Sequence, residues 1–284
     1  MEYTMILPAD QSAMTLRELL EHEWLVPRKV RHFLRTRKEV QINDQPALFH
    51  QIVTAGDKVT LVIEDSDYSY QPVLPGDPNQ VDVCYEDQHL IIVNKPVGIK
   101  THPNQPDEQD TLLNHVAAYL RPEQTQPYVV HRLDKETSGV VLFAKNPFVL
   151  PILGRMLEQK QLYRRYQAIV WGTIKKDQTI DKKIGRDRHD RRKRIIDPRN
   201  GKSAVTHVTI AKNDSETTNV YCVLDTGRTH QIRVHLASIG HPIVGDPLYQ
   251  QRAAPRLMLH GRELHLVHPF TKERLVAIAD PGLW

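Results

Sequence analysis

The 284-residue sequence has little cysteine, no long apolar run and no metal-ligand spacing, and each shortage removes a class of protein. Its two cysteines, Cys84 and Cys222, each lie inside an apolar run, which fits buried free thiols in a reducing compartment and excludes a disulfide framework or a CxxC metal site. The fifteen histidines give no cluster at ligand spacing; even His265 and His268 lack cysteine or carboxylate companions, so no metal is expected. No apolar run approaches the roughly 18 residues of a membrane span, and the N-terminal MEYTMILPADQ has neither a basic start nor a sustained apolar stretch. The expectation is a cytoplasmic protein that does not enter membranes. Nucleotide-cofactor motifs, internal repeats and low-complexity tracts are also missing, so no cofactor is expected. What is present, 40% hydrophobic and 25% charged residues over this length, suits one large or two unequal globular domains.

The net charge is only +4, so its distribution matters more than its total. Arg28 to Lys38 carries Arg28, Lys29, Arg31, Arg35, Arg37 and Lys38 with no acid, and Asp181 to Asp197 carries eight Lys or Arg against four Asp. Such runs are ordinarily solvated faces and become phosphate contacts when the partner is a nucleic acid. Leu16, Leu19 and Leu20, then Val30, Phe33 and Leu34, recur at helical spacing and predict two short amphipathic helices separated by Val26-Pro27. The second turns Arg28, Lys29, Arg31 and Arg35 outward. Val40 to Ile42, the turn Asn43 to Gln45 and Val59 to Ile63 predict a small sheet. Residues 65 to 80, DSDYSYQPVLPGDPNQ, have the composition of an extended linker. The chain therefore divides into an N-terminal region 1–65, a linker 66–80 and a larger domain 81–284. In the larger domain strands are predicted at Leu90–Val93, Tyr128–Val130, Val140–Ala144, Tyr166–Trp171, Ser203–Ile210, Val220–Asp225, Glu263–Val267 and Arg274–Ala279. Helices are predicted at Thr111–Leu120, Pro147–Glu158 and His230–Ser238, the last with Thr229 as N-cap and Gly240 as its stop. Many strands and few helices imply an α+β fold on a mixed, largely antiparallel sheet.

Four segments hold the residues of chemical interest. His131-Arg-Leu-Asp134-Lys-Glu-Thr-Ser-Gly139 sets one carboxylate between Arg132 and Lys135 at a strand-to-loop junction, where it is either a turn residue bonded to its own backbone or an ionised nucleophile. Asn94-Lys95-Pro96-Val-Gly98 ends a strand in a turn. Tyr166-Gln-Ala168-Ile-Val170-Trp-Gly172 alternates so that Tyr166, Ala168 and Val170 share one face, with Tyr166 either core or site. Gly227-Arg228-Thr229-His230-Gln-Ile-Arg233-Val-His235-Leu leads into the last helix, whose apolar stripe of Ile232, Leu236 and Ile239 leaves Arg233 on another face.

These strings, in this order over most of residues 81–284, resemble the RluA-type pseudouridine synthases, and residues 12 to 63, with RTRKEVQINDQPA and AGDKVTLVI, resemble the small α/β S4 RNA-binding domain. The resemblance implies a pseudouridine synthase fold and the conversion of uridine to pseudouridine in structured RNA, without cofactor. Asp134 would be the catalytic carboxylate, adding to C1′, removing the C2′ proton or attacking C6. Arg233 would pair with it, and Tyr166 would stack on the target base and handle the C5 proton. Arg132 would fill the space that the flipped base leaves, while Lys95, Arg28, Lys29, Arg31, Arg35, Arg228 and His230 would contact RNA. Leu133 and Ile232 would wall the pocket and keep water from C1′. The S4-like module favours large-subunit ribosomal RNA as the partner of a monomeric enzyme. A tRNA-directed synthase, or a catalytically silent RNA-binding or ribosome-assembly factor, are the alternatives. The basic stretch Lys182 to Arg194 is expected to be mobile until RNA binds.

Overall fold

The structure, a computed structural model, describes residues 1–64, 67–68, 72–250, 252–282 and 284. Of the expected linker, positions 66 and 69–71 lie outside the described residues. The N-terminal region folds as a four-stranded antiparallel sheet in the order Glu2–Ile6, Lys58–Val62, Val40–Ile42, Gln45–Pro46. Asn43 and Asp44, with φ of 51° and 63°, make the tight turn between the last two, a conformation that Asn and Asp tolerate well. The first predicted helix is a single turn, Leu16–Glu18, closed by a Thr15/Glu18 capping box and continued by the π-turn Leu19–Glu23. The second, Arg28–Arg37, buries Val30 and Leu34 and starts behind Pro27. Phe33 is half-buried, with Lys29 and Arg37 lying over its ring at 5.4 and 4.6 Å.

In the N-terminal region Met14–Thr15 also pairs with Ile52–Val53, and ten strands of the larger domain form one sheet. Its main path runs Gln178–Asp181, Val205–Asn213, Thr217–Leu224, Tyr163–Trp171, Leu259–Val267, Ser138–Ala144, Leu90–Lys95, Val83–Glu86; Arg274–Ile278 and Tyr128–Val129 pair off this path. Every pairing is antiparallel except one. Ser138 and Gly139 run parallel to His260 and Gly261, and this contact joins the two halves of the sheet. Only glycine fits there: Gly139 has φ 118°, and a Cβ on it would lie 2.2 Å from the Gly261 carbonyl oxygen. The helices Leu112–Leu120, Val149–Glu158 and Gln231–Ser238 stand where the sequence pattern puts them. Within the basic stretch, Ile184–Arg186 pairs with Arg194–Ile196 as a hairpin. Its Ile184 packs with Ala204 and Val234 on the last helix, so a small apolar foot anchors an otherwise charged element.

The N-terminal sheet and one face of the large sheet share a continuous core. The Tyr3 ring stacks on Phe148 at 5.1 Å, and Trp24 meets Phe270 edge-on at 5.2 Å. Arg155 also donates to the carbonyls of Leu25 and Val26 at 3.0 and 3.3 Å. The basic helix Arg28–Arg37 is thereby carried on a rigid base. Among the described residues no helix is long and apolar enough to cross a membrane, and no group of His, Cys, Asp and Glu could hold a metal ion.

Three buried histidines make this core sensitive to acid. Burial pushes His131 down to about 3, and His89 and His260 each down to about 4. Because the folded values lie below the unfolded one, the unfolded chain binds more protons between pH 4 and about 6.5, and stability falls with pH across that window. Each group can withdraw up to roughly 2 kcal/mol by about pH 5. Thermal melts at stepwise lower pH are expected to show a falling Tm below neutrality; a flat Tm down to the carboxylate range would contradict it.

Candidate active site

The loop carrying Asp134 is fixed by its backbone. Thr101 Oγ1 donates to the Leu133 carbonyl at 2.8 Å and accepts from the Leu133 amide at 3.1 Å, while the Thr137 amide bonds to the Asp134 carbonyl at 3.1 Å. At the exit of the loop, Ser138 Oγ bonds to His260 Nδ1 at 2.8 Å and accepts from Arg256. This bracing leaves the Asp134 side chain 20% exposed on the floor of a cavity of about 630 Å³. Leu133, Tyr166, Ile232 and Leu259 supply apolar wall, and Arg132, Lys160, Arg164 and Arg228 add cations around it. Tyr166, 6% exposed, rests on Gly261: the missing Cβ would lie 3.7 Å from both the tyrosine Cε1 and Leu133 Cδ1. Among the described residues its hydroxyl has no protein partner.

Arg233 is the best-secured side chain of the site. It is 1% exposed and donates through Nε and Nη2 to Asp246 at 2.7 and 2.8 Å, leaving Nη1 to face Asp134 Oδ2 at 3.4 Å. Asp246, fully buried, also accepts from the amides of Leu248 and Tyr249 at 2.9 and 3.2 Å. The bidentate geometry suits a guanidinium and a carboxylate. Burial opposes the Arg233 charge, but Asp246, and then Asp134 and Glu136, outweigh it and hold the guanidinium above its ordinary range. Asp246 is thus the residue that permits an arginine to be buried beside Asp134. Sequence reading missed it: it lies within Gly245-Asp246-Pro247, which reads as a turn.

The structure brings Asp134, Tyr166, Arg233, Arg132, Arg228 and His230 to one cavity, while Arg28, Lys29 and Arg35 are exposed on their helix. Four expectations are corrected. Lys95 is fully buried, its ammonium donating to the carbonyls of Pro96, Ile99 and Lys135 at 2.9, 2.8 and 3.2 Å, so it cannot reach RNA. It braces the Asp134 loop from behind; burial pushes it down to about 7, against the pull of Asp134 and Glu136. Lys95→Met is expected to lower Tm, because carbonyls left unpaired cost about 1–3 kcal/mol each, and to leave the salt dependence of RNA binding unchanged; a smaller salt slope with no loss of Tm would restore the RNA-contact role. Arg31 is ion-paired with Glu21 and only 15% exposed. His230 turns inward, toward Asp134 and Tyr249. Thr229 does not cap the last helix: His230 takes that position with φ 58° and no side-chain cap.

This α+β sheet, with Asp134 on the floor of a cavity that Arg132, Arg164 and Arg228 also line, has the fold of the pseudouridine synthase class, to which the solved human RNA pseudouridylate synthase domain containing 1 belongs. It superposes with a TM-score of 0.60 at 27% identity, covering 74% of this chain and 87% of that one. The chain belongs to the RNA pseudouridylate synthase family, whose pattern matches residues 89–238. Residues 3–59 match the RluD ribosomal pseudouridine synthase N-terminal domain. The uncharacterized RNA pseudouridine synthase YhcT of Bacillus subtilis is 41% identical over 251 residues, 86% of this chain and 82% of that protein. The ribosomal large subunit pseudouridine synthase D of Nitrosomonas europaea is 35% identical over 256 residues, 84% and 73% of the two chains.

Proposed function

We propose that this RNA pseudouridine synthase acts on large-subunit ribosomal RNA, with Asp134 as its catalytic carboxylate. The reaction breaks the C1′–N1 bond, turns the uracil within the site, joins C1′ to C5, and moves the C5 proton away while N1 gains one. The observation that carries the role of Asp134 is its position: a carboxylate on a braced loop, facing the cavity, with Arg233 Nη1 3.4 Å from one oxygen. Tyr166 offers its ring to the base and a hydroxyl to the C5 proton. Arg132, exposed at the rim, would occupy the stack that the flipped uridine vacates. Leu133 and Ile232 would limit water at C1′.

The target assignment is supported by the N-terminal match, by relatives named for the ribosomal large subunit, and by the outward cations Arg28, Lys29 and Arg35. Residues 1–65 would contribute RNA binding and 81–284 the chemistry, with 66–80 between them, in a monomeric cytoplasmic enzyme. The test is tritium release from RNA labelled at uridine C5 and isolated from a strain lacking the protein. Release from the large ribosomal RNA fraction and not from tRNA is expected. Release confined to tRNA would overturn the target, and release from neither would leave a binding factor.

A further inference from the structure

His230 and Tyr249 have no task in that scheme, yet their hydrogen bonds fix a proton beside Asp134. The His230 side chain is 12% exposed, and its Nε2 lies 3.6 Å from Asp134 Oδ2. Its Nδ1 lies 3.0 Å from Tyr249 Oη, which lies 2.8 Å from the backbone nitrogen of Arg194 in the basic hairpin. An amide N–H can only donate, so the phenol oxygen accepts from Arg194. Among the described residues that oxygen has one other partner, His230 Nδ1. If Nδ1 carried the proton, the half-buried phenol O–H would be left without a protein acceptor. All groups are satisfied within the protein only when Tyr249 donates to Nδ1, which leaves the imidazole proton on Nε2, facing the carboxylate. Burial, with Arg233 and Arg194 on the same side of the balance, holds the imidazole below its ordinary range against the attraction of Asp134 and Asp246.

We propose that Tyr249 locks His230 as the neutral Nε2–H tautomer, making His230 a positioning residue that, together with Arg233, orients the Asp134 carboxylate. Both donors address the same oxygen, Oδ2. Oδ1 has no protein partner among the described residues and is therefore the oxygen presented for reaction. The lock begins at Arg194, so the hairpin that carries Arg186, Arg188 and Arg191 on its exposed surface also sets the donor beside the carboxylate. The inference rests on Asp134 being the reacting group, and its test separates the two ideas.

The full-length protein, labelled with ¹⁵N-histidine, is observed by NMR near neutral pH, with His230 assigned by the signals lost in His230→Gln. An Nε2–H pattern is expected in the wild type, shifting toward a mixture of tautomers in Tyr249→Phe. In turnover, His230→Ala is expected to lower kcat about 10–100-fold, up to the roughly 10²-fold that a misplacement of about 1 Å costs, with KM within about twofold. His230→Gln, whose amide N–H₂ reaches the Nε2 position, is expected to recover most of that loss, and Tyr249→Phe to fall between. An imidazolium or Nδ1–H ring in the wild type would overturn the proposal, as would a rise in KM at constant kcat, the signature of an RNA contact. An active Asp134→Asn would sink only the underlying assignment and leave the NMR result standing.

Discussion

Asp134→Asn is expected to lose tritium release from uridine-labelled RNA by about 10⁴-fold or more, the scale on which removal of a nucleophile acts. Its Tm and its affinity for RNA are expected to stay near those of the wild type. The separation follows from where the charges are anchored. Asp134 is one-fifth exposed and, among the described residues, its nearest fixed cation is Arg233 Nη1 at 3.4 Å, so the substitution breaks no short buried bond. Arg233 keeps both of its hydrogen bonds to Asp246 and is not orphaned. Asn preserves volume and a carbonyl oxygen, but an amide can neither add to C1′ or C6 nor take the C2′ proton. All three routes require the carboxylate, so the result tests the group and not the route. Residual turnover within tenfold of wild type, in protein shown free of wild-type contamination, would move the chemistry to another residue.

The sheet was legible in the sequence because its strands carry their own signals. Ser138–Ala144 is buried at every position, and its Val140–Ala144 portion reads as a continuous apolar run, while Tyr163–Trp171 alternates and sends Tyr166, Ala168 and Val170 inward as its period predicts. The strands that escaped are short or masked by charge. Glu2–Ile6 holds only two buried residues, Tyr3 and Met5, and the hairpin Ile184–Ile196 hides its few apolar side chains among arginines and aspartates. The helix Gln231–Ser238 shows where periodicity fails. It predicts an Arg233 off the core stripe, yet six consecutive residues from Gln231 to Leu236 are buried. Each polar side chain there finds a partner from a distant segment: Gln231 the Val205 carbonyl and Thr206, His235 Thr206 and the Lys182 carbonyl, Arg233 Asp246. Hydrophobic patterning assumes that polar residues seek water. It says nothing of a polar residue whose hydrogen bonds are completed inside the protein, and that is the condition of every side chain bracing Asp134. Lys95 was misassigned for the same reason.

Asp246 therefore carries the largest stability effect expected of any single side chain in the site. Asp246→Ala leaves the Arg233 guanidinium buried with its Nε and Nη2 donors unpaired, a change that costs about 3–5 kcal/mol, and a chain of this size should lose roughly 10 °C in Tm. Turnover is expected to fall with it, because an unpaired Arg233 has every incentive to swing toward Asp134 and Glu136, whose carboxylates lie 3.4 and 3.9 Å from Nη1. Loss of activity in that variant alone is ambiguous, since a destabilised protein and a misplaced carboxylate both read as inactive. The double variant Arg233→Met, Asp246→Leu resolves it. Replacing a buried ion pair by apolar residues of similar size is often neutral, so the double variant is expected to regain most of the lost Tm. It is expected to remain inactive, because nothing then faces Asp134 Oδ2 from the helix. A double variant that recovers both stability and turnover would show that Arg233 serves the fold and not the reaction, and an Asp246→Ala protein as stable as wild type would show that the buried pair is not formed.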